Sequence, residues 1–178
     1  MSDFKFLQIS GSSNNWVISA PKRGDRPDQA EGVEPECPFE GNVEDLVFEL
    51  GEVKVKNNKY PFAPIHEIII HSNDHQKNFD ELPELMVEDI FKVFRQRFEA
   101  HKDQGQIFIF NNHGENAGES LPHPHTQLAI IPEEVKLEIP PLCLTDEEIK
   151  ELSNFYIFCP QSSQWPDEVW IAPKREGR

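Results

Sequence analysis

Apolar residues along this chain fall into short alternating runs, broken once by a longer helical period. Residues 14–20, Asn-Asn-Trp-Val-Ile-Ser-Ala, predict a short strand that enters the basic turn Pro21-Lys22-Arg23-Gly24-Asp25-Arg26-Pro27. Residues 25–44, rich in acid, proline and glycine, predict an irregular loop. Strands are predicted at 46–50 and 52–56, then a turn at Asn57-Asn58, then a β-branched strand at 67–71. From about 82 to 102, Met86, Ile90, Phe94 and Phe98 recur every four residues, and Asp80 and Glu81 favour the positive end of a helix. Phe91, Phe94 and Phe98 read as core. Segments 106–111 and 123–131 predict two strands that pair across the loop between them. The pattern implies an α+β fold: a mostly antiparallel sheet with one long helix on a face.

Beyond residue 140 the pattern restarts. Thr145-x-x-Glu148 forms a capping box for a short helix, followed by strands at 155–159 and 168–172. Pro166-Asp167-Glu168-Val169-Trp170-Ile171 echoes Pro64-Ile65-His66-Glu67-Ile68-Ile69-Ile70, which suggests the start of a second, related repeat. The expected organisation is one domain over 1–140 and a partial second repeat, or C-terminal extension, over 141–178.

The 178 residues suffice for a sizeable core, burying about 70 % of the unfolded surface. A formal charge of −15 argues against nucleic acid as a partner, though not against a nucleotide held in a local pocket. Three cysteines, Cys37, Cys143 and Cys159, suggest a reducing compartment rather than a disulfide framework. No apolar stretch approaches the roughly 18–20 residues of a membrane span, and Met-Ser-Asp-Phe-Lys-Phe lacks a signal-peptide core. The expectation is a soluble cytoplasmic protein without a membrane partner.

The densest chemistry lies in Asn111-Asn112-His113-Gly114-Glu115-Asn116-Ala117-Gly118-Glu119-Ser120-Leu121-Pro122-His123-Pro124-His125-Thr126-Gln127. If a strand begins near His123, period-two geometry puts His123, His125 and Gln127 on one face. Such a row offers a nucleophile, a neutral amide and a metal ligand to a phosphate. Pro124 limits the freedom of both neighbouring histidines. Ser120 and the loop N–H groups from Gly114 to Gly118 are placed to hold phosphate oxygens as charge develops. The plainer readings are a phosphate-binding, non-covalent His125 and a Gln127 that satisfies a strand edge.

This segment resembles the active-site motif of the galactose-1-phosphate uridylyltransferase family, a branch of the histidine-triad superfamily. That motif reads Asn-x-Gly-x-x-x-Gly-x-Ser-x-x-His-Pro-His-x-Gln and is matched at Asn112, Gly114, Gly118, Ser120, His123, Pro124, His125 and Gln127. The resemblance implies a histidine-triad-like fold. It covers nearly all of the chain but only the N-terminal half of the family, which is built of two such domains. It further implies a nucleotidyltransferase of the UDP-glucose–hexose-1-phosphate uridylyltransferase type, working by double displacement through a nucleotidyl-histidine on His125. Anionic oxygens around phosphorus repel charged attackers, whereas a neutral imidazole held in one tautomer avoids that repulsion. Histidine-triad hydrolases carry a third histidine where this chain has Gln127. An amide cannot titrate, which favours transfer to a second phosphate over hydrolysis.

Further residues follow from the same resemblance. Arg23 and Arg26 match arginines that contact phosphate or a partner subunit, unless the basic turn is simply solvated. Asn58 matches a nucleoside-contacting residue or serves only the turn. Glu119 stands where some relatives carry cysteine, close to the phosphates. A structural zinc is implied at Cys37, Glu40, His75 and His123, with Glu40 replacing the family's second cysteine by a harder oxygen donor. The metal-free alternative has Glu40 bonding His75 or His123. His66, His71, His101 and His113 receive no role. The implied partners are a nucleoside diphosphate sugar, a sugar-1-phosphate and a second copy in a homodimer. The rival readings are an ADP-glucose or diadenosine-tetraphosphate phosphorylase and an inactive nucleotide-binding remnant.

Overall fold

The structure, a computed structural model, describes residues 4–11, 15–26, 37–41, 43–136, 150–160, 163 and 165–174. Two compact units divide the chain, Met1–Lys136 and Leu137–Arg178. In the first, β1 (Lys5–Gln8) and β2 (Trp16–Ser19) form an antiparallel hairpin, and the basic turn is a 3-10 helix at Pro21–Asp25. A five-stranded antiparallel sheet follows, built from β3 (Leu46–Leu50), β4 (Val53–Asn57), β5 (Ile65–Ile70), β6 (Gln106–Phe110) and β7 (His125–Ile131) in the order β3-β4-β5-β7-β6. The helix α1 (Glu84–His101) packs on one face. The second unit contains a three-stranded antiparallel sheet of β8 (Lys150–Glu151), β9 (Phe155–Phe158) and β10 (Trp170–Pro173). The predicted α+β class, with a mostly antiparallel sheet and one long helix, matches this architecture.

Alternation decides what each sheet face carries. Val53, Val55, Ile69, Leu128 and Ile130 turn toward α1 and pack with its Ile90 and Val93. Glu67 lies on this face too and is clamped by Arg97, whose Nε and Nη2 donate to its carboxylate at 2.9 and 2.6 Å. The intervening residues face the other way: Lys56, Ile68 and Gln127 form a cross-strand row that Phe110 extends.

Some expectations need correction. Phe94 packs against the core, but Phe91 and Phe98 are 58 % and 46 % exposed, and Val93 takes a core position instead. A helix advances about 100° per residue, so each four-residue step drifts by about 40° and carries Phe98 off the buried face. Strand β7 begins at His125, two residues after His123: Pro124 has no N–H for the ladder, and His123 joins another cluster. Strands β1 and β8 were not expected. The helix predicted from Thr145, and most of the loop at 25–44, lie outside the described residues.

Candidate active site

A cleft opens on the sheet face away from α1. It is walled by Ile68 and Gln127 of the central strands, His125 at the start of β7, Phe39 and Leu121, with Arg26, Lys56 and Lys59 supplying cationic groups. Pro38, Asn58, Tyr60 and Ser120 complete its lining. In a chain of net charge −15, three cations around one cleft make it locally positive against the general field.

His125 is buried at the base. Its Nδ1 lies 2.8 Å from the His123 carbonyl oxygen, which can only accept, so the hydrogen sits on Nδ1. The lone pair is therefore on Nε2. Burial pushes the imidazole below its ordinary pKa, against the opposing pull of that hydrogen bond and of the Glu119 carboxylate, and keeps the ring neutral near pH 7. The Asn111 amide donates to the His125 carbonyl at 2.7 Å and ties the motif strand to the end of β6.

The loop before β7 is held largely by its own atoms. Gly118 adopts φ +75°, where its missing side chain leaves open space and an L-residue would be strained. Asn112 donates to the Ala117 carbonyl, and Ala117 N–H donates to Gly114 O. Glu119 turns its carboxylate back to accept Gly114 N–H at 2.8 Å. Two of the loop N–H groups expected to hold phosphate are thus already engaged. Asn112 and Gly118 shape the loop, while Ser120 lines the cleft itself.

The two arginines separate. Arg26 lines the cleft. Arg23 donates to Tyr60 O at 2.8 Å and lies over the Phe62 ring; burial, with Arg26 nearby, lowers its guanidinium to about 10. Its place is in holding the turn against the 60–62 segment. Asn58 is likewise engaged internally, accepting Tyr60 N–H at 2.8 Å.

Beside the cleft, Cys37, Glu40, His75 and His123 bring four donor atoms within 4.8 Å of one another. His123 donates Nε2–H to Ser72 O at 3.0 Å, leaving Nδ1, 3.5 Å from Cys37 Sγ, as its ligand atom. His75 Nδ1 is buried and makes no hydrogen bond among the described residues, although Glu40 Oε1 lies 2.8 Å away. A buried imidazole nitrogen that makes no hydrogen bond among the described residues, set with a thiol, a carboxylate and a second imidazole, fits a divalent cation of the zinc type. These residues could hold a metal; its part would be to clamp the His123 segment.

Lys56, Lys59, Tyr60, Phe39 and Leu121 line the cleft and were not singled out in the sequence. A lysine that alternates with core valines in β4 looks like any solvated strand residue.

Comparison with known proteins accords with this geometry. The family model "Galactose-1-phosphate uridyl transferase, N-terminal domain" matches residues 54–130. An ADP-glucose phosphorylase of Arabidopsis thaliana is 25 % identical, with 91 % of this chain and 64 % of the relative covered. A galactose-1-phosphate uridylyltransferase of Thermotoga maritima is 26 % identical, with 95 % and 66 % covered. The chain thus spans just under two thirds of either relative. The crystal structure of the Arabidopsis ADP-glucose phosphorylase with bound ADP-glucose superposes with TM-score 0.68 at 21 % identity, covering 99 % of this chain and 70 % of that one, which shows a shared fold. Motif, matched model and fold together show that this chain resembles the N-terminal half of the galactose-1-phosphate uridylyltransferase family.

Proposed function

We propose that the cleft carries out nucleotidyl transfer by double displacement, of the UDP-glucose–hexose-1-phosphate uridylyltransferase type. His125 Nε2 attacks the α-phosphorus of the nucleoside diphosphate sugar; a P–N bond forms and the bond to the sugar-1-phosphate oxygen breaks. A second sugar-1-phosphate then attacks through its phosphate oxygen, the P–N bond breaks, and His125 is restored. Arg26, Lys56 and Lys59 offset the phosphate charge, Ser120 offers a hydroxyl, and the Gln127 amide hydrogen-bonds the phosphoryl group without delivering water to it. The observation that carries this reading is the fixed tautomer of His125, with Nδ1–H on the His123 carbonyl and the Nε2 lone pair left for attack.

Zinc at Cys37, Glu40, His75 and His123 would act structurally, holding the carbonyl that sets this tautomer. A homodimer completes the proposal: β6 is an edge strand, and Phe108 on it is half exposed.

The relatives include an ADP-glucose phosphorylase as well as a uridylyltransferase at nearly equal identity, which supports adenylyl transfer to a phosphate acceptor as the second reading. Radiolabelled UDP-glucose and ADP-glucose, offered in turn, should leave label on the protein from one of them. Replacing His125 by Asn should abolish that label. Retained labelling of the variant would remove His125 as nucleophile, and nucleotide binding without labelling would favour a non-catalytic binding protein.

A further inference from the structure

His66 is 4 % exposed on β5, two residues along from Ile68, which pairs with Gln127 across the sheet. Its ring meets the Phe62 ring edge-on, with centroids 4.3 Å apart. Nδ1 accepts Phe62 N–H at 3.3 Å, so the ring hydrogen belongs on Nε2. Around Nε2 stand Gln127 Oε1 at 3.0 Å and Asn58 Nδ2 at 3.2 Å. The Asn58 carbonyl oxygen is fixed by Tyr60 N–H, which leaves its NH2 toward His66. That group is itself a donor and so a neighbour rather than a partner. Gln127 Oε1 takes the imidazole hydrogen. No protein acceptor among the described residues takes the Gln127 NH2, and this residue lines the cleft.

We propose that His66 is a positioning residue that fixes the Gln127 amide with its NH2 toward the cleft, so that a phosphoryl group at His125 meets a donor and never the amide carbonyl. The inference rests on the reading of the cleft as a phosphoryl-transfer site. A glutamine left to rotate would present either end, and a carbonyl oxygen facing phosphate oxygens is repulsive. The arrangement is robust to acid, because burial holds His66 down to about 4 with Arg23 and Arg26 adding to the effect. Its hydrogen therefore stays on Nε2 throughout the neutral range.

The test uses His66→Gln, which keeps a donor where Nε2 stands, and His66→Glu, which offers only an acceptor and turns the Gln127 amide around. Nucleotidyl labelling by UDP-glucose or ADP-glucose, whichever labels the wild type, is followed in both. A hydrogen bond to a charged group is worth about 1.5–3 kcal/mol, or about 10- to 100-fold in rate. We expect His66→Gln within about threefold of wild type and His66→Glu slower by that 10- to 100-fold, with the loss in kcat more than in KM. A His66→Leu/Gln127→Ala double variant should be no slower than Gln127→Ala alone. Equal rates for the Gln and Glu variants, or multiplied losses in the double variant, would overturn the positioning role while leaving His125 in place. Nitrogen-resolved NMR of the wild-type protein reads the tautomer directly, without turnover, and a His66 protonated on Nδ1 refutes the proposal. Absence of label on the wild type from either sugar nucleotide removes the transfer reading, and this inference with it.

Discussion

Strands β5 and β7 bury polar side chains on both faces, but the two faces treat them differently. Toward α1, Glu67 is clamped by Arg97 and also approached by His101 Nε2 at 3.1 Å, so charge is matched within a closed cluster. Toward the cleft, His125, Gln127 and His66 are each fixed by one neighbour and left with one group uncommitted or aimed at the next. Residues adjacent in sequence, such as His66 and Glu67, thus serve opposite ends. On the helix face the Glu67 carboxylate is fully paired, while the Nδ1 atoms of His71 and His101 make no hydrogen bond to the described residues. On the cleft face His125 keeps its Nε2 and Gln127 its NH2 without a partner among the described residues.

The contrast can be broken by experiment, beginning with the helix face. Arg97→Met leaves the Glu67 carboxylate buried with only His101 beside it and should lower the free energy of unfolding by about 3 kcal/mol in urea titrations. Labelling by the folded variant should be unchanged. A variant of wild-type stability but reduced labelling would erase the distinction between the faces.

Zinc at about a hundred times its dissociation constant should raise the unfolding free energy by about 2.7 kcal/mol. In Cys37→Ser the gain should shrink, and metal analysis should show less than one zinc per chain. An equal gain in both proteins would place the ion elsewhere.

Acid tests both faces at once. His66, toward the cleft, is lowered by burial to about 4, and His71, toward α1, by burial and the nearby His125 and His123 to about 3. Both are neutral in the folded chain, whereas the unfolded chain takes up these protons below about pH 6.5. Stability is therefore full above that pH and declines as pH falls toward the folded values. At pH 5 the loss should be about 2 kcal/mol per imidazole relative to pH 7.5. His71 carries a buried Nδ1 that makes no hydrogen bond among the described residues, so His71→Leu should flatten its share of the profile. A flat wild-type profile between these pH values would contradict the burial of both rings.

The smallest stability change is expected at Gln127, where function should suffer most for its cost to the fold. Gln127→Ala removes one hydrogen bond and should change stability by about 1 kcal/mol, while labelling falls by about tenfold or more. A large loss of stability with normal labelling would make Gln127 a structural residue.

Much of this was legible in the chain. Period-two runs located most of the strands to within a few residues, and the helix at Glu84–His101 stood out because its apolar spacing has no strand equivalent. The His-Pro-His-x-Gln segment announced itself by spacing. Cys37, Glu40, His75 and His123 came together as expected from the resemblance, although 86 residues separate the first from the last. Arg23 and Arg26 could not be told apart, because both are cations in one turn. Only the contact with Tyr60 and Phe62 separates them.

The amino-acid order by itself determined which residues share a face, since alternation along a strand is a local property of the backbone. It placed His125 with Gln127 and Glu67 with Ile69. Tautomers, amide orientations and partnerships were decided only when β5 met β7 and the 58–62 segment folded over His66. A hydrogen atom's position on an imidazole depends on which acceptor or donor lies within about 3 Å. That neighbour comes from a distant part of the chain, which no local pattern can encode.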